Sequence, residues 1–456
     1  MSRLLRNCTS RAVRQGVRFR DRGTRIDVRR WGPVCAILCV LAMTTARHPL
    51  RPRRAAAADL TADPRVRKAL DHLGASAAEL TEEQIRITEI PAPPYHEAAR
   101  GAYMAKLFND AGLKVKTDGL GNVIGERSGS SSDDIVLLAA HLDTVFPAGT
   151  DVRAKRQNGR IYAPGISDNG AGLAALVGMA RALRDAKVET RSTVLFAADV
   201  GEEGEGNLRG IRKLVETYRK QLRYVIALDG SATDYITAAA LASHRVEITL
   251  TGPGGHSWSD FGMPNPIHAL ARGVARFVRT PVPDDPRTTF NVGSIEGGTS
   301  VNSIPAKASI KVDLRSESEP QLLKLENTLR ESIQAGVDEE MGASRSRGII
   351  DAMPLTMDIK VLGIRPGGEL AANSPLLMAA QAADEYLGNR SRIERSSTDA
   401  NIPLSVGVPA IALGAGGRSG GAHSLEEWYD PAGRELGLRR VFLTLVSVAE
   451  LAPNAP

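Results

Sequence analysis

Apolar and polar positions alternate along this chain in two different rhythms. From Pro64 to about Ile90 the apolar residues Val66, Leu70, Leu73, Leu80, Ile85 and Ile87 recur at helical spacing. Pro91-Ala92-Pro93-Pro94 ends that pattern, and Glu97–Ala111 repeats it. Short strands are predicted at 114–117 and 123–126. A continuous apolar run, Ile135–Ala140, reads as a buried strand, as do Ser192–Val200 and Tyr224–Leu228. Helices are predicted over 171–186 and 208–218. Strands alternating with helices predict an α/β domain with a mostly parallel sheet covered by helices. The rhythm then changes. His244–Thr251 alternates as a half-buried strand, and Thr288–Ile295 and Lys307–Arg315 are expected to pair as strands around the turn at Gly297-Gly298, with helices at 267–278 and 320–335 and a last strand at 357–361. This β-α-β-β-α-β order predicts a small antiparallel sheet with two helices on one face, inserted at about 242–363. The α/β pattern resumes with a helix at 374–387, a strand at 410–413 and a helix at 433–451. The predicted organisation is a leader (1–58), a catalytic domain in two parts (59–241 and 364–456), and the insertion between them.

Composition refines this. At 456 residues one core is too small a prior, and 42% apolar with 24% charged residues is the balance of a water-soluble globular protein. The net charge of +6 is misleading. Residues 1–58 hold 14 Lys and Arg against 2 acids, leaving 44 basic and 50 acidic residues in the body. The basicity therefore belongs to the leader and argues for no nucleic-acid partner. The leader pairs Arg29-Arg30 with an apolar run from Val34 to Met43, too short to span a bilayer, and ends in Ala55–Ala58. It is expected to be an export signal, with a twin-arginine route as one option, giving a periplasmic or secreted protein without a stable membrane span. A mis-assigned start would leave it cytoplasmic. The three cysteines, Cys8, Cys35 and Cys39, all lie in the leader, so any metal site in the body must use His and carboxylates.

Candidate chemistry gathers where strands end. His141 and Asp143 close the run Leu137–Ala140; Glu202-Glu203 and Asp229 follow the next two strands; Asp168 sits between Gly165 and Gly170; His423 lies in a late loop. In open α/β sheets ligands sit beyond the carboxyl ends of the strands. Each residue has an ordinary alternative: an N-cap for Asp168, a solvated pair for Glu202-Glu203, a loop histidine for His423. Together they predict two Zn²⁺ ions sharing a bridging carboxylate, with Co or Mn able to replace them. Asp143 is expected to orient His141 through its carboxylate. Of the adjacent glutamates, one can ligate metal while the other faces substrate as a base.

His141-Leu-Asp-Thr-Val, Gly165-Ile-Ser-Asp-Asn-Gly-Ala-Gly, Gly201-Glu-Glu-Gly, Leu228-Asp-Gly, Gly254-Gly-His-Ser and Gly421-Ala-His-Ser, in this order, resemble the dinuclear zinc family of peptidase T, glutamate carboxypeptidase, aminoacylase, acetylornithine deacetylase and succinyl-diaminopimelate desuccinylase. The resemblance spans about residues 65–450. It implies a zinc-exopeptidase fold whose inserted domain acts as lid and dimer interface, hence a homodimer. It implies that His141 and Asp229 hold one zinc, that Glu203 and His423 hold the other, and that Asp168 bridges them. Asp143 would orient His141, and Glu202 would take a proton from the metal-bridging water. His256 would stabilise the tetrahedral oxyanion, often from the neighbouring subunit. Asn302 and Arg315 match substrate-contacting positions, Arg315 suiting a free carboxylate beside the scissile amide. Ser397–Asn401 and Gly416-Gly417 read as loops on the substrate side.

The expected function is zinc-dependent hydrolysis of an amide in a small peptide, by a di- or tripeptidase or carboxypeptidase. Alternatives are an N-acyl amino acid deacylase and a non-catalytic peptide-binding member. A metal-dependent phosphoesterase would need basic residues around the metals, and few lie near these motifs in the sequence.

Overall fold

A computed structural model describes residues 53–351 and 353–453. The arginine pair, the apolar run and the cysteines of the leader lie outside the described residues. The boundary drawn after Ala58 falls inside a helix, Arg53–Ala62, whose Ala57 is buried. Among the described residues no helix is long and apolar enough to cross a membrane.

The larger sheet has nine strands. Its centre is parallel: Ser192–Asp199, Ser131–His141, Leu222–Leu228 and Ala410–Leu413 lie side by side in that order. All four are buried on both faces along their apolar runs, as parallel strands under helices must be. Because they run the same way, His141 is registered against Asp199, and Asp229 follows Leu228 at the same edge. Both flanks join this parallel centre through antiparallel pairs. The flank beyond Ala410–Leu413 contains two strands with no sequence expectation, Tyr235–Ala240 and Arg392–Ser396. The first opens on Tyr-Ile-Thr but ends in three alanines, and the second is mostly charged, so neither sustains the β-branched, apolar pattern that marks a strand.

The expected helix over 64–90 is two helices, Pro64–Ala75 and Ala77–Thr88, meeting at Ser76. The first starts on Pro64 with Asp63 accepting from the Arg65 amide at 2.8 Å, and both pack apolar faces into the main core.

The inserted segment forms its own four-stranded antiparallel sheet, ordered Thr288–Gly297, Lys307–Ser316, Ala242–Thr251, Thr356–Arg365. Helices Pro266–Phe277 and Glu319–Ser346 pack together over it, enclosing a second apolar core. The latter helix runs eleven residues beyond the expected Ala335. Gly336 does not stop it, because that glycine is where the two helices touch: a Cβ there would stand 2.6 Å from the Gly273 nitrogen.

A third, small antiparallel sheet joins Lys155–Gln157, Arg160–Tyr162, Trp428–Asp430 and Arg418–Gly420. It matters for position: the connection between its last two strands in the chain carries His423 and Glu427 to the sheet edge where His141 and Asp229 lie.

Candidate metal centre

His141 ends its strand almost fully buried, with Nε2 3.1 Å from Asp168 Oδ1. His423 reaches the other oxygen of the same carboxylate, with Nε2 3.1 Å from Asp168 Oδ2 and 2.9 Å from Glu203 Oε1. The Asp168 carboxylate thus lies between two imidazoles. Burial would raise its pKa, but the two histidines outweigh that and hold it below the usual range. Burial would likewise lower that of His141, and Asp168, Asp143 and Glu202 together raise it instead. His423 is about half exposed, and its bonds to Asp168 and Glu203 push it up to about 10. Burial pushes Glu203 up to about 6, and the adjacent Glu202 adds to it. Burial and Asp168 also raise Asp229.

Three donor groups have their ligand atoms within 4.8 Å of one another: His141 with Asp168 and Asp229, Asp168 with Glu203 and His423, and His141 with Glu202 and Glu203. The first two share Asp168. Their nitrogen and carboxylate donors are the set that borderline divalent metals take, and with no metal they would crowd acids into a buried edge at electrostatic cost. The residues therefore fit two metals with a common carboxylate.

The loop carrying Asp168 is held by a residue with no sequence expectation. Glu427, wholly buried, accepts from the amides of Gly165 (2.7 Å), Ser167 (2.8 Å) and Asp168 (3.0 Å) and from the Ser167 hydroxyl (2.7 Å). Its signal was its place four residues after His423, but an acid in Leu425-Glu-Glu-Trp reads as a solvated turn. The helix that follows Asp168 is capped by Asn169, whose Oδ1 accepts from Gly172, so Asp168 is no N-cap.

Asp143 departs from expectation. The His141 Nδ1 lies 3.0 Å from the Asp143 backbone oxygen and 3.7 Å from its carboxylate. The strand ends at His141, so Asp143 does not share its face in the pleat. Its carboxylate instead accepts from the Glu202 and Glu203 amides at 3.0 and 2.8 Å. Asp143 therefore fixes the glutamate pair with its side chain and the histidine with its main chain.

Glu202 and Glu203 diverge as adjacent residues should. Glu203 faces His423, while Glu202 Oε1 accepts from Arg365 Nη1 at 2.8 Å. Arg365 also donates to the Glu202 carbonyl and to Ser397 Oγ at 2.9 Å. The same cavity, about 300 Å³, is lined by Arg245, Arg315, Arg365 and Arg395 beside the metal-site residues. This corrects the expectation of few basic residues at the site. The four arginines come from four different strands, three of the inserted sheet and one at the flank of the large sheet, and only folding collects them.

Arg315 lines the cavity; His256 and Asn302 are not among its lining residues. They sit together elsewhere, His256 paired with Ser303 across two short strands and the Ser257 amide donating to the Asn302 oxygen at 3.0 Å. His256 is exposed, and its Nδ1 accepts from the Trp258 amide at 3.2 Å. Ser397 reaches the cavity, whereas Gly417 packs on the Tyr429 ring and Gly416 on the helix Arg434–Ala449. His244 pairs with Glu326 at 2.7 Å, and His268 lies 3.5 Å from Glu340.

Residues 137–446 match the model of Peptidase family M20/M25/M40. YqjE of Bacillus subtilis (strain 168) is 26% identical over 353 residues, covering 74% of this chain and 90% of that protein. Acetylornithine deacetylase of Edwardsiella ictaluri is 25% identical over 353 residues, covering 72% and 83%. The crystal structure of aminopeptidase PepT from Bacillus cereus superposes with a TM-score of 0.63 at 23% identity, covering 82% of this chain and 99% of that one. With the family pattern matched over this span and its residues gathered at one sheet edge, the chain belongs to peptidase family M20/M25/M40 and is a hydrolytic enzyme.

Proposed function

We propose that the protein is a dinuclear metal-dependent hydrolase of the amide bond in a small peptide, with zinc as its metal. The observation that carries this is the Asp168 carboxylate lying between His141 and His423, with Glu203 and Asp229 completing a donor group on either side. His141 and Asp229 would hold one metal, Glu203 and His423 the other, and Asp168 both. When bound, the two ions polarise the amide carbonyl and make water acidic enough to be a nucleophile at neutral pH.

The protein's part is positioning and proton transfer. Glu202 has one carboxylate oxygen engaged by Arg365. The other is left to accept the proton of the attacking water and deliver it to the leaving amine nitrogen. The Asp143 carboxylate, through the two glutamate amides, keeps Glu202 and Glu203 turned to their separate tasks. Arg315 suits a substrate carboxylate next to the amide. A peptide offers that carboxylate as its C-terminus, and so does an N-acyl amino acid. The deacylase reading is therefore the second one, and an acetylornithine deacetylase among the relatives supports it.

The deciding experiment is hydrolysis by the zinc-loaded protein, with and without chelator, of dipeptides, tripeptides, C-terminally amidated peptides and N-acetyl amino acids. Chelator-sensitive cleavage of free peptides that is lost on amidation is the expected result. Preference for N-acetyl amino acids would make it a deacylase, and no cleavage with metal bound would leave a peptide-binding protein.

A further inference from the structure

The arginines of the cavity divide into two groups. Arg365 is committed to Glu202 and Ser397, and Arg245 to Asp313 (3.1 Å) and the Gly204 carbonyl (2.5 Å). Both brace the loop that carries the glutamates. Arg315 and Arg395 do not touch that loop. They line the metal-site cavity and also a second one, of about 250 Å³, whose other walls are Leu241, Arg287, Thr289 and Glu317. The two cavities share Leu241, Arg315 and Arg395, so they are neighbouring compartments of one cleft.

The second compartment is strongly cationic. Three guanidinium groups face it with one carboxylate, Glu317. That carboxylate accepts from the Arg287 main-chain amide at 3.0 Å and stands 3.8 Å from Arg395 Nε. Among the described residues Arg315 hydrogen-bonds to a protein carboxylate only through Nε, to Asp313 at 2.7 Å, and the Arg287 guanidinium makes no hydrogen bond or ion pair. Arg395 spends Nη1 on the Ala240 carbonyl (3.1 Å) and Nη2 on the exposed Glu369 (3.0 Å). An apolar substrate side chain placed here would strip water from these cations and return nothing. A single substrate carboxylate, held by Arg315 at the junction, would leave Arg287 without a partner and Arg395 with only the exposed Glu369 and the more distant Glu317.

We infer that the substrate's leaving amino acid is dicarboxylic, its α-carboxylate held by Arg315 and its side-chain carboxylate by Arg287 and Arg395 in the second compartment. This rests on the amide-hydrolase reading above and adds the substrate class. It makes the enzyme selective for peptides or acyl amino acids ending in Asp or Glu. The Arg287 guanidinium offers a free planar fork of donors, and Arg395 can exchange the exposed Glu369 for the substrate carboxylate, a fit that a neutral amide side chain cannot reproduce.

Two measurements on the zinc-loaded full chain test it separately from the reaction. Calorimetric titration with L-glutamate and L-glutamine compares ligands that differ in one charge. Glutamate should bind about 10- to 100-fold more tightly, the range of a charge-assisted hydrogen-bonded pair. In Arg287→Ala, and in Arg287→Ala with Arg395→Ala, that ratio should fall toward one. Equal binding of the two ligands by the wild-type protein would overturn the inference without any variant. A ratio that survives in a folded double variant would place the second carboxylate elsewhere and overturn it too. Hydrolysis of Ala-Glu against Ala-Gln separates the two levels of argument. Equal cleavage of both keeps the amide hydrolase and removes the acidic selectivity, whereas tight glutamate binding without cleavage of any amide keeps the subsite and removes the reaction.

Discussion

Glu202 and Glu203 are neighbours in sequence with opposite partners, Arg365 for one and His423 for the other. Glu202→Ala should therefore retain its bound metal, measured by metal analysis, and lose about 10²- to 10⁴-fold in kcat. Loss of a metal instead would exchange the roles of the two glutamates. Glu427 acts at the same scale without touching substrate. Its carboxylate accepts four donors from the Asp168 loop, and a glutamine there would turn an NH₂ toward N–H groups. Glu427→Gln should cost about 1–3 kcal/mol in a denaturant titration and weaken metal binding in a competition with a chromogenic chelator. Unchanged metal affinity would mean that the loop holds its shape without Glu427.

The helices and strands make predictions of their own. Pro266–Phe277 and Glu319–Ser346 approach through Gly273 and Gly336, where a Cβ on Gly273 would stand 2.8 Å from Ile333 Cα. Gly336→Ala must push backbone from backbone, and should lower the melting temperature by an amount equivalent to about 1–3 kcal/mol. A melting temperature at or above the wild type would show that the contact has slack. The same long helix is tied to the sheet by Glu326, which bonds His244 at 2.7 Å and Arg330 at 2.6 Å. Burial would raise the Glu326 pKa, but Arg330 and His244 outweigh it and the net shift is downward. A carboxyl with a depressed folded pKa adds stability above its unfolded pKa and loses it as pH falls through the folded one. Glu326→Gln should thus destabilise the protein by about 0.5–1 kcal/mol at pH 7, with the gap to wild type closing below pH ~4 in a series of thermal melts. A gap that persists in acid would assign the effect to shape rather than charge.

For the whole molecule, the placement of His256 decides what a lone chain can do. His256 is exposed in the inserted domain and does not line the metal-site cavity of its own chain. If it stabilises the oxyanion, it does so in a second copy. His256→Ala should then lower kcat with metal content unchanged, and mixing that variant with Glu202→Ala should restore part of the lost activity. Additive, uncomplemented loss on mixing would count against a shared site, and full activity of His256→Ala would return it to a turn residue. At this scale too, a chain starting at Asp63 lacks the helix Arg53–Ala62, which packs on Pro375–Leu387, and should melt lower than one starting at Pro52.

Much of this arrangement is written locally. Apolar runs that end in His141, Glu202 and Asp229 mark strands and place ligands at their ends, because parallel strands bring their carboxyl termini to one edge. Alternation in 244–251 and 307–315 marks the second sheet as half-buried, and the ordered motifs name the family. What such local signals cannot carry is any contact between residues far apart in the chain. Asp143 meets the amides of Glu202 and Glu203, Glu427 holds a loop some 260 positions earlier, and Arg287, Arg315 and Arg395 face one compartment from separate strands or loops. No periodicity encodes these meetings. They follow from sheet order, strand register and the crossing of the inserted domain over the edge, which come from burying two cores at once.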